Sequence, residues 1–256
     1  MTLIDSHCHL NYPGLVEDEA GVLDRARARG VGGFLNISTR QREWQNVVSA
    51  AERHPDVWAA IGVHPHEADQ HPDLGVDALV SAAAHPRVVA LGECGLDYHY
   101  DKSDRGAQQE RFRAHLQAAA QTGLPVVIHT RDAEEDTVAI LRDAPGVTGV
   151  LHCFTGSRWL AEQGLALGYF ISLSGIVTFR NARDLQDTAK VVPDDKLLVE
   201  TDSPFLAPVP NRGKTCEPAF VADTAAFVAD LRGVDSAQLA DRTTENFFRL
   251  FHKAAP

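Results

Sequence analysis

The sequence predicts a closed (β/α)8 barrel, and three observations carry that expectation. Eight short runs rich in Val, Ile, Leu and Ala alternate with stretches of helical spacing. The runs are nearly continuously apolar, as strands buried on both faces of a parallel sheet must be. The chain has 256 residues, close to the ~250 typical of such barrels. An open doubly wound sheet is the alternative with the same alternation.

The strands are expected at 2–9, 31–38, 57–63, 88–94, 125–130, 148–153, 169–174 and 196–201. Between them, helices are expected at 17–29, 40–53, 74–84, 104–122, 133–143, 157–167 and 181–191. The stretch 104–122 has the clearest apolar face, with Phe112, Leu116 and Ala119 spaced i, i+4, i+7. After the last strand come 215–231 and an extra C-terminal helix over 236–252, for which Asp235 is a plausible N-cap with Gln238 three residues on. The Pro-rich stretch 204–218 reads as a long loop, and no repeat or linker divides residues 1–256, so a single domain is expected.

Composition sets outer bounds. The 44% hydrophobic and 23% charged content is that of a folded globule. A net charge of −11 argues against broad, non-specific coating of nucleic acid, which needs a basic surface. No apolar run approaches the ~20 residues of a membrane span, and the N-terminus lacks a secretion-signal pattern, so a cytoplasmic protein is expected. Four scattered cysteines form no disulfide framework.

Polar residues gather at the strand C-termini, where barrels of this class place their active sites. His7 and His9 end the first strand, Glu93 the fourth, His129 the fifth, His152 the sixth and Asp202 the eighth. Side chains alternate along a strand, so His7 and His9 share a face and Cys8 points away. By the same alternation Cys8, Cys94 and Cys153 should face the helix layer. Two metals about 3.5–4 Å apart need a carboxylate between them, and Glu93 is the natural bridge. Asp202 can hold a metal with one oxygen and accept a proton from the attacking water with the other. His64 could bind a phosphate oxygen or pack against Pro65. Glu200 could orient a ligand or pair with an interior cation. Arg131, Arg180, Arg212 and Lys214 fall in mouth loops where phosphates could bind, and Tyr98-His99-Tyr100 could stack bases. His54 and His85 stand at helix ends as capping residues, and His115, His71 and His252 carry no signal.

The segments Ile4-Asp5-Ser6-His7-Cys8-His9-Leu10, Gly62-Val63-His64-Pro65-His66, Gly92-Glu93-Cys94-Gly95-Leu96-Asp97-Tyr98, Ile128-His129-Thr130-Arg131, His152-Cys153-Phe154-Thr155-Gly156 and Glu200-Thr201-Asp202-Ser203-Pro204 resemble the TatD family of metal-dependent deoxyribonucleases. The resemblance runs from Ile4 to Phe251. It implies a TIM-barrel hydrolase of the amidohydrolase-like superfamily that cleaves phosphodiester bonds of DNA. It also implies one metal on His7, His9, Glu93 and Asp202 and a second on Glu93, His129 and His152. One departure is Cys216, which stands where the family commonly has Asn and bears on the loop after the last strand.

The expected function is therefore a 3′-5′ exonuclease on single-stranded DNA ends, with Asp202 and Glu93 catalytic, two divalent ions (Mg, Mn, Zn or Ni), and His64, Arg131, Arg212 and Lys214 contacting substrate. The alternatives are a metal-dependent ester or amide hydrolase, such as an aminoacyl-tRNA deacylase, and a non-catalytic metal-binding scaffold.

Overall fold

Each apolar run forms a strand, and the strands pair in the order in which they occur. In the computed structural model, which describes residues 2–254, these are β1 (Leu3–Cys8), β2 (Val31–Ile37), β3 (Val57–Ile61), β4 (Val88–Asp97), β5 (Val126–Arg131), β6 (Gly149–Leu151), β7 (Phe170–Leu173) and β8 (Leu197–Val199). They form one sheet, with every neighbouring pair parallel. The sheet closes on itself just past β8. There Asp202 N–H donates to the His7 carbonyl at 2.9 Å, and His9 N–H donates to that of Ser203 at 2.9 Å. The expected TIM barrel is the observed architecture.

The helices α1 (Glu19–Ala28), α2 (Trp44–Arg53), α3 (Val76–Ala83), α4 (Arg105–Thr122), α5 (Glu134–Arg142), α6 (Arg158–Ala166), α7 (Arg183–Val191) and α8 (Val221–Arg232) each follow a strand, and α9 (Ser236–Leu250) is additional. In α4 the Asp104 carboxylate caps the N–H groups of Gly106 and Ala107 at 2.8 and 3.1 Å, and Gly123 at φ +72° ends the helix. Phe112, Leu116 and Ala119 are buried on its inner face, as their spacing predicts. Asp235 caps α9 as expected, accepting from Ala237 and Gln238 N–H; such a cap stabilises by about 1 kcal/mol. The helix expected from 215 starts only at Val221, after a short 3-10 turn over Pro218–Phe220. His54 is the C-cap residue of α2, but its imidazole pairs with Glu19. The His85 imidazole accepts the N–H of Arg87.

Two apolar cores result. One lies between the strands and the helix layer. The other fills the barrel itself, with Ile4, Leu35, Trp58, Val127, Phe170 and Leu198 meeting Phe247, Leu250 and Phe251 of the α9 segment. Phe247 lies 5.4 Å from Trp58 and 4.7 Å from Phe251, ring to ring. Polar contacts fix this helix at the strand N-termini: Thr244 donates to the Thr2 carbonyl and Asn246 to those of Asp194 and Leu197. The extra helix is thus a plug in the base, leaving the opposite mouth for chemistry.

Two ladders break where functional side chains sit. Register shifts fall between Asp5 and Cys8 in β1 and between Leu91 and Cys94 in β4, the stretches that carry His7 and Glu93. Such irregularities re-aim a side chain relative to simple alternation. Glycine permits the close approach of β4 to β5. Gly95 has φ +129°, and a Cβ there would overlap the carbonyl of His129.

His115 of α4 is fully buried. Its Nδ1–H donates to the Arg111 carbonyl at 2.7 Å, and its Nε2 accepts the N–H of Val63 at 3.2 Å. Burial pushes its pKa from 6.5 down to about 4, so the folded state holds it neutral. Its contribution to stability is full above about pH 6.5 and is lost as pH falls toward 4, because only the unfolded chain takes up the proton there. Across that window the loss amounts to about 3 kcal/mol. The stability advantage of wild type over His115→Gln should shrink by that amount between pH 7 and pH 4.5, read from paired denaturant titrations. An advantage independent of pH would refute the neutral buried imidazole.

Candidate metal centre

The mouth of the barrel holds a cleft of about 840 Å³ whose lining includes His9, His64, Glu93, His129, His152 and Asp202. Glu93 is its centre. Its Oε1 lies 2.8 Å from His152 Nε2, 3.3 Å from His64 Nε2 and 3.4 Å from His129 Nδ1. Its Oε2 faces the other way, 3.6 Å from His7 Nε2 and 3.9 Å from His9 Nε2. Asp202 Oδ1 closes that second side, 3.6 Å from His7 and 3.4 Å from His9. Three overlapping groups could hold a metal ion: His7, Glu93 and His152; His7, His9 and Asp202; and His64, Glu93 and His129. The six residues expected as metal ligands are therefore brought together from five strand ends.

Hydrogen bonds on the outer nitrogens decide what each imidazole offers inward. His9 Nδ1–H donates to the Ile37 carbonyl at 3.0 Å. His152 Nδ1–H donates to Glu200 at 3.2 Å. His129 Nε2–H donates to Asp97 at 2.9 Å. In each case the neutral ring turns its lone pair toward Glu93 or Asp202, the arrangement by which carboxylates and carbonyls orient metal-binding histidines. His64 is the opposite case. Its Nδ1 accepts the His66 N–H at 3.0 Å, so the neutral ring carries its proton on Nε2. Burial holds its pKa down at about 4, so His64 is neutral and in this tautomer offers the mouth a donor, its Nε2–H facing Glu93 Oε1 at 3.3 Å.

The donor set fits divalent cations. His7 and His9 bring their Nε2 atoms within 3.3 Å of each other, and the His7 ring stacks on His152 at 3.9 Å. One proton shared between these two nitrogens, or a cation bound by both, satisfies such an approach. Burial opposes charge on Glu93, yet His152, His64 and His129 hold its carboxyl well below the usual range. Burial likewise opposes a charged His152, but Glu93 and Glu200 lift it well above its ordinary value. These carboxylates attract protons onto imidazoles, and a divalent ion supplies the same positive charge in the protons' place.

Other expected residues are divided. Glu200 orients His152 and also accepts the Cys153 N–H at 2.7 Å. Arg131 reaches the cleft, 4.8 Å over the Tyr100 ring. Arg180, Arg212 and Lys214 are not among the lining residues; Arg212 sits over Phe179 at 3.9 Å, and Lys214 donates to Asn211. Arg40 and Lys102 line the mouth instead, with Arg40 tied to Glu67 and Glu43 at 2.6 and 3.0 Å. Of the aromatic trio only Tyr100 lines the cleft, because Tyr98 donates to Asp136 under Arg105 and His99 pairs with Asp132.

Cys153 corrects one expectation. It lines the cleft, partly exposed, because β6 ends at Leu151 and Cys153 has φ +42°, so strand alternation no longer applies. Cys8 and Cys94 do face the helix-side core. Cys216 is buried and outside the cleft lining, its N–H donating to the Pro204 carbonyl at 3.0 Å; it packs under the loop.

Asp97 belongs to the site although no apolar run ends on it. It is fully buried, and one oxygen accepts from both His129 and His66 at 2.9 Å. The other accepts the N–H groups of His99 and Tyr100. The signal was present in Gly-Leu-Asp-Tyr, four residues beyond Glu93 on a strand longer than expected.

A family model described as TatD related DNase matches residues 4–252. The chain is 48% identical to the uncharacterized metal-dependent hydrolase YcfH of Escherichia coli strain K12, over 98% of this chain and 96% of that protein. It is 39% identical to the 3′-5′ ssDNA/RNA exonuclease TatD of Erwinia tasmaniensis, over 98% of this chain and 100% of that protein. The crystal structure of YJJV, a TatD homologue from Escherichia coli K12, matches with a TM-score of 0.92 at 31% identity, covering 99% of this chain and 98% of that one.

Because Asp97 orients His129, Asp97→Asn should weaken divalent-ion affinity by about 10–100-fold, measured by calorimetric titration of Zn or Mn into chelator-treated protein. Unchanged affinity would remove His129 or its orienting bond from the ligand set.

Proposed function

The chain belongs to the TatD related DNase family and is a metal-dependent hydrolase, and from that premise we propose that it removes nucleotides from the 3′ ends of single-stranded DNA with two divalent ions at the barrel mouth. The observation that carries the two-ion reading is the division of Glu93, one oxygen toward His7 and His9 and the other toward His129 and His152. His7, His9, Glu93 and Asp202 would hold one ion, and Glu93, His129 and His152 the other. The nucleic-acid substrate draws support from the relative named a 3′-5′ ssDNA/RNA exonuclease. Unpaired cysteines throughout fit a reducing compartment such as the cytoplasm.

When bound, two ions would supply Lewis-acid charge and lower the pKa of a water; attack of that water on phosphorus breaks the P–O3′ bond, freeing the terminal nucleotide and leaving a 3′-hydroxyl on the shortened strand. The chain's own residues do the rest. Asp202 keeps Oδ1 toward His7 and His9 and leaves Oδ2 to take the water's proton. His64 donates its Nε2–H to a non-bridging phosphate oxygen, a contact its buried, neutral tautomer suits. Arg131 and Lys102, both at the cleft, meet the phosphate of the next nucleotide as charge-assisted donors.

Oligonucleotides labelled at either end should shorten from the 3′ end in the presence of Mg, Mn or Zn. Asp202→Asn should slow this by about 10²–10⁴-fold, the usual contribution of a positioned base. Metal-loaded protein that leaves every oligonucleotide intact with each ion would overturn the reading and move the substrate to an ester or amide.

A further inference from the structure

Three carbocyclic aromatic side chains line the cleft, Tyr12, Tyr100 and Phe205, and they differ in what covers their rings. Tyr12 stacks on His9 at 4.8 Å and 21°, with its hydroxyl bound to Thr39. Tyr100 has the Arg131 guanidinium 4.8 Å and the Lys102 ammonium 5.6 Å from its ring centre. Phe205 meets Tyr12 at 86° and His9 at 67°, with centroids 6.0 and 6.5 Å away. Among the described residues no parallel ring or cation lies on Phe205, which is 50% exposed.

An exposed ring is ordinary on a protein surface, but this one stands in the wall of the cleft with a face free for a flat partner. The chain holds it there firmly. Phe205 stands three residues after Asp202 and donates its N–H to the Asp202 carbonyl at 3.0 Å. The preceding Pro204 carbonyl accepts the Cys216 N–H at 3.0 Å. Leu206 and Ile176 line the same cleft, so this wall is apolar and the Tyr100 wall is cationic. A nucleotide has the matching division, an aromatic base on one side and an anionic phosphate on the other.

We propose that Phe205 is the stacking platform for the base of the terminal nucleotide, whose phosphate lies between the Glu93 cluster and the Tyr100–Arg131 wall. The assignment rests on the nuclease reading above. Stacking is tolerant of base identity because every base has a π-face, so this platform favours any base over none and selects no sequence.

The test compares single-stranded oligonucleotides that end at 3′ in a normal nucleotide or in an abasic one, otherwise identical. Wild type should prefer the normal end in kcat/KM by about tenfold or more, from the measured worth of base–aromatic stacking. Phe205→Ala should lose that preference, and Phe205→Trp should keep it. Tyr100→Ala should slow both substrates together and leave the preference intact. The platform is refuted if wild type cleaves both ends equally, if Phe205→Ala discriminates as wild type does, or if the preference follows Tyr100. Wild type that cleaves neither oligonucleotide overturns the nuclease reading and the platform with it.

Discussion

A carboxylate buried at the mouth of the barrel has to be met by positive charge, and the surroundings of Glu93 are organised around that requirement. Its two oxygens face different sets of imidazole nitrogens, and each set is oriented from behind by an acceptor on another element. Ile37 orients His9, Glu200 orients His152 and Asp97 orients His129. The lone pairs are thereby aimed before any ion arrives, which lowers the ordering cost of binding one. His64, the one imidazole fixed with its proton inward, is set apart as a donor by the same kind of bond.

The apolar half of the molecule serves this polar centre from the far end. Phe247 and Phe251 enter the barrel base and pack on Trp58, so the lumen beneath the cluster is filled with hydrocarbon. A filled lumen keeps water from reaching Glu93 from below and confines solvent access to the mouth.

Much of this was legible in the sequence because barrel strands have a simple period. Short apolar runs located the eight strands, and polar residues at the ends of five of them located His7, His9, Glu93, His129, His152 and Asp202. What escaped depends on where the period stops or on contacts between elements. Cys153 lies beyond the end of β6, where its backbone leaves the extended region. Asp97 lies on a part of β4 that the apolar run did not mark. His115 gains its meaning only from Val63 across the α4–β3 contact. Phe205 looked like one more residue of a proline-rich loop until the turn after Asp202 faced it into the cleft. Arg212 and Lys214 erred the other way, since a cation in a loop after β8 has no period to aim it, and these two turn to Phe179 and Asn211.

The barrel closes through hydrogen bonds between the stretch around His7 and the stretch around Asp202, so two partners in one possible ion group are far apart in the sequence. In N-to-C synthesis His7 and His9 are made about 190 residues ahead of Asp202. The plug that fills the lumen comes later still. The cluster at the mouth therefore assembles late: an emerging chain that has made β1 to β7 still has no Asp202 to meet His7 and His9.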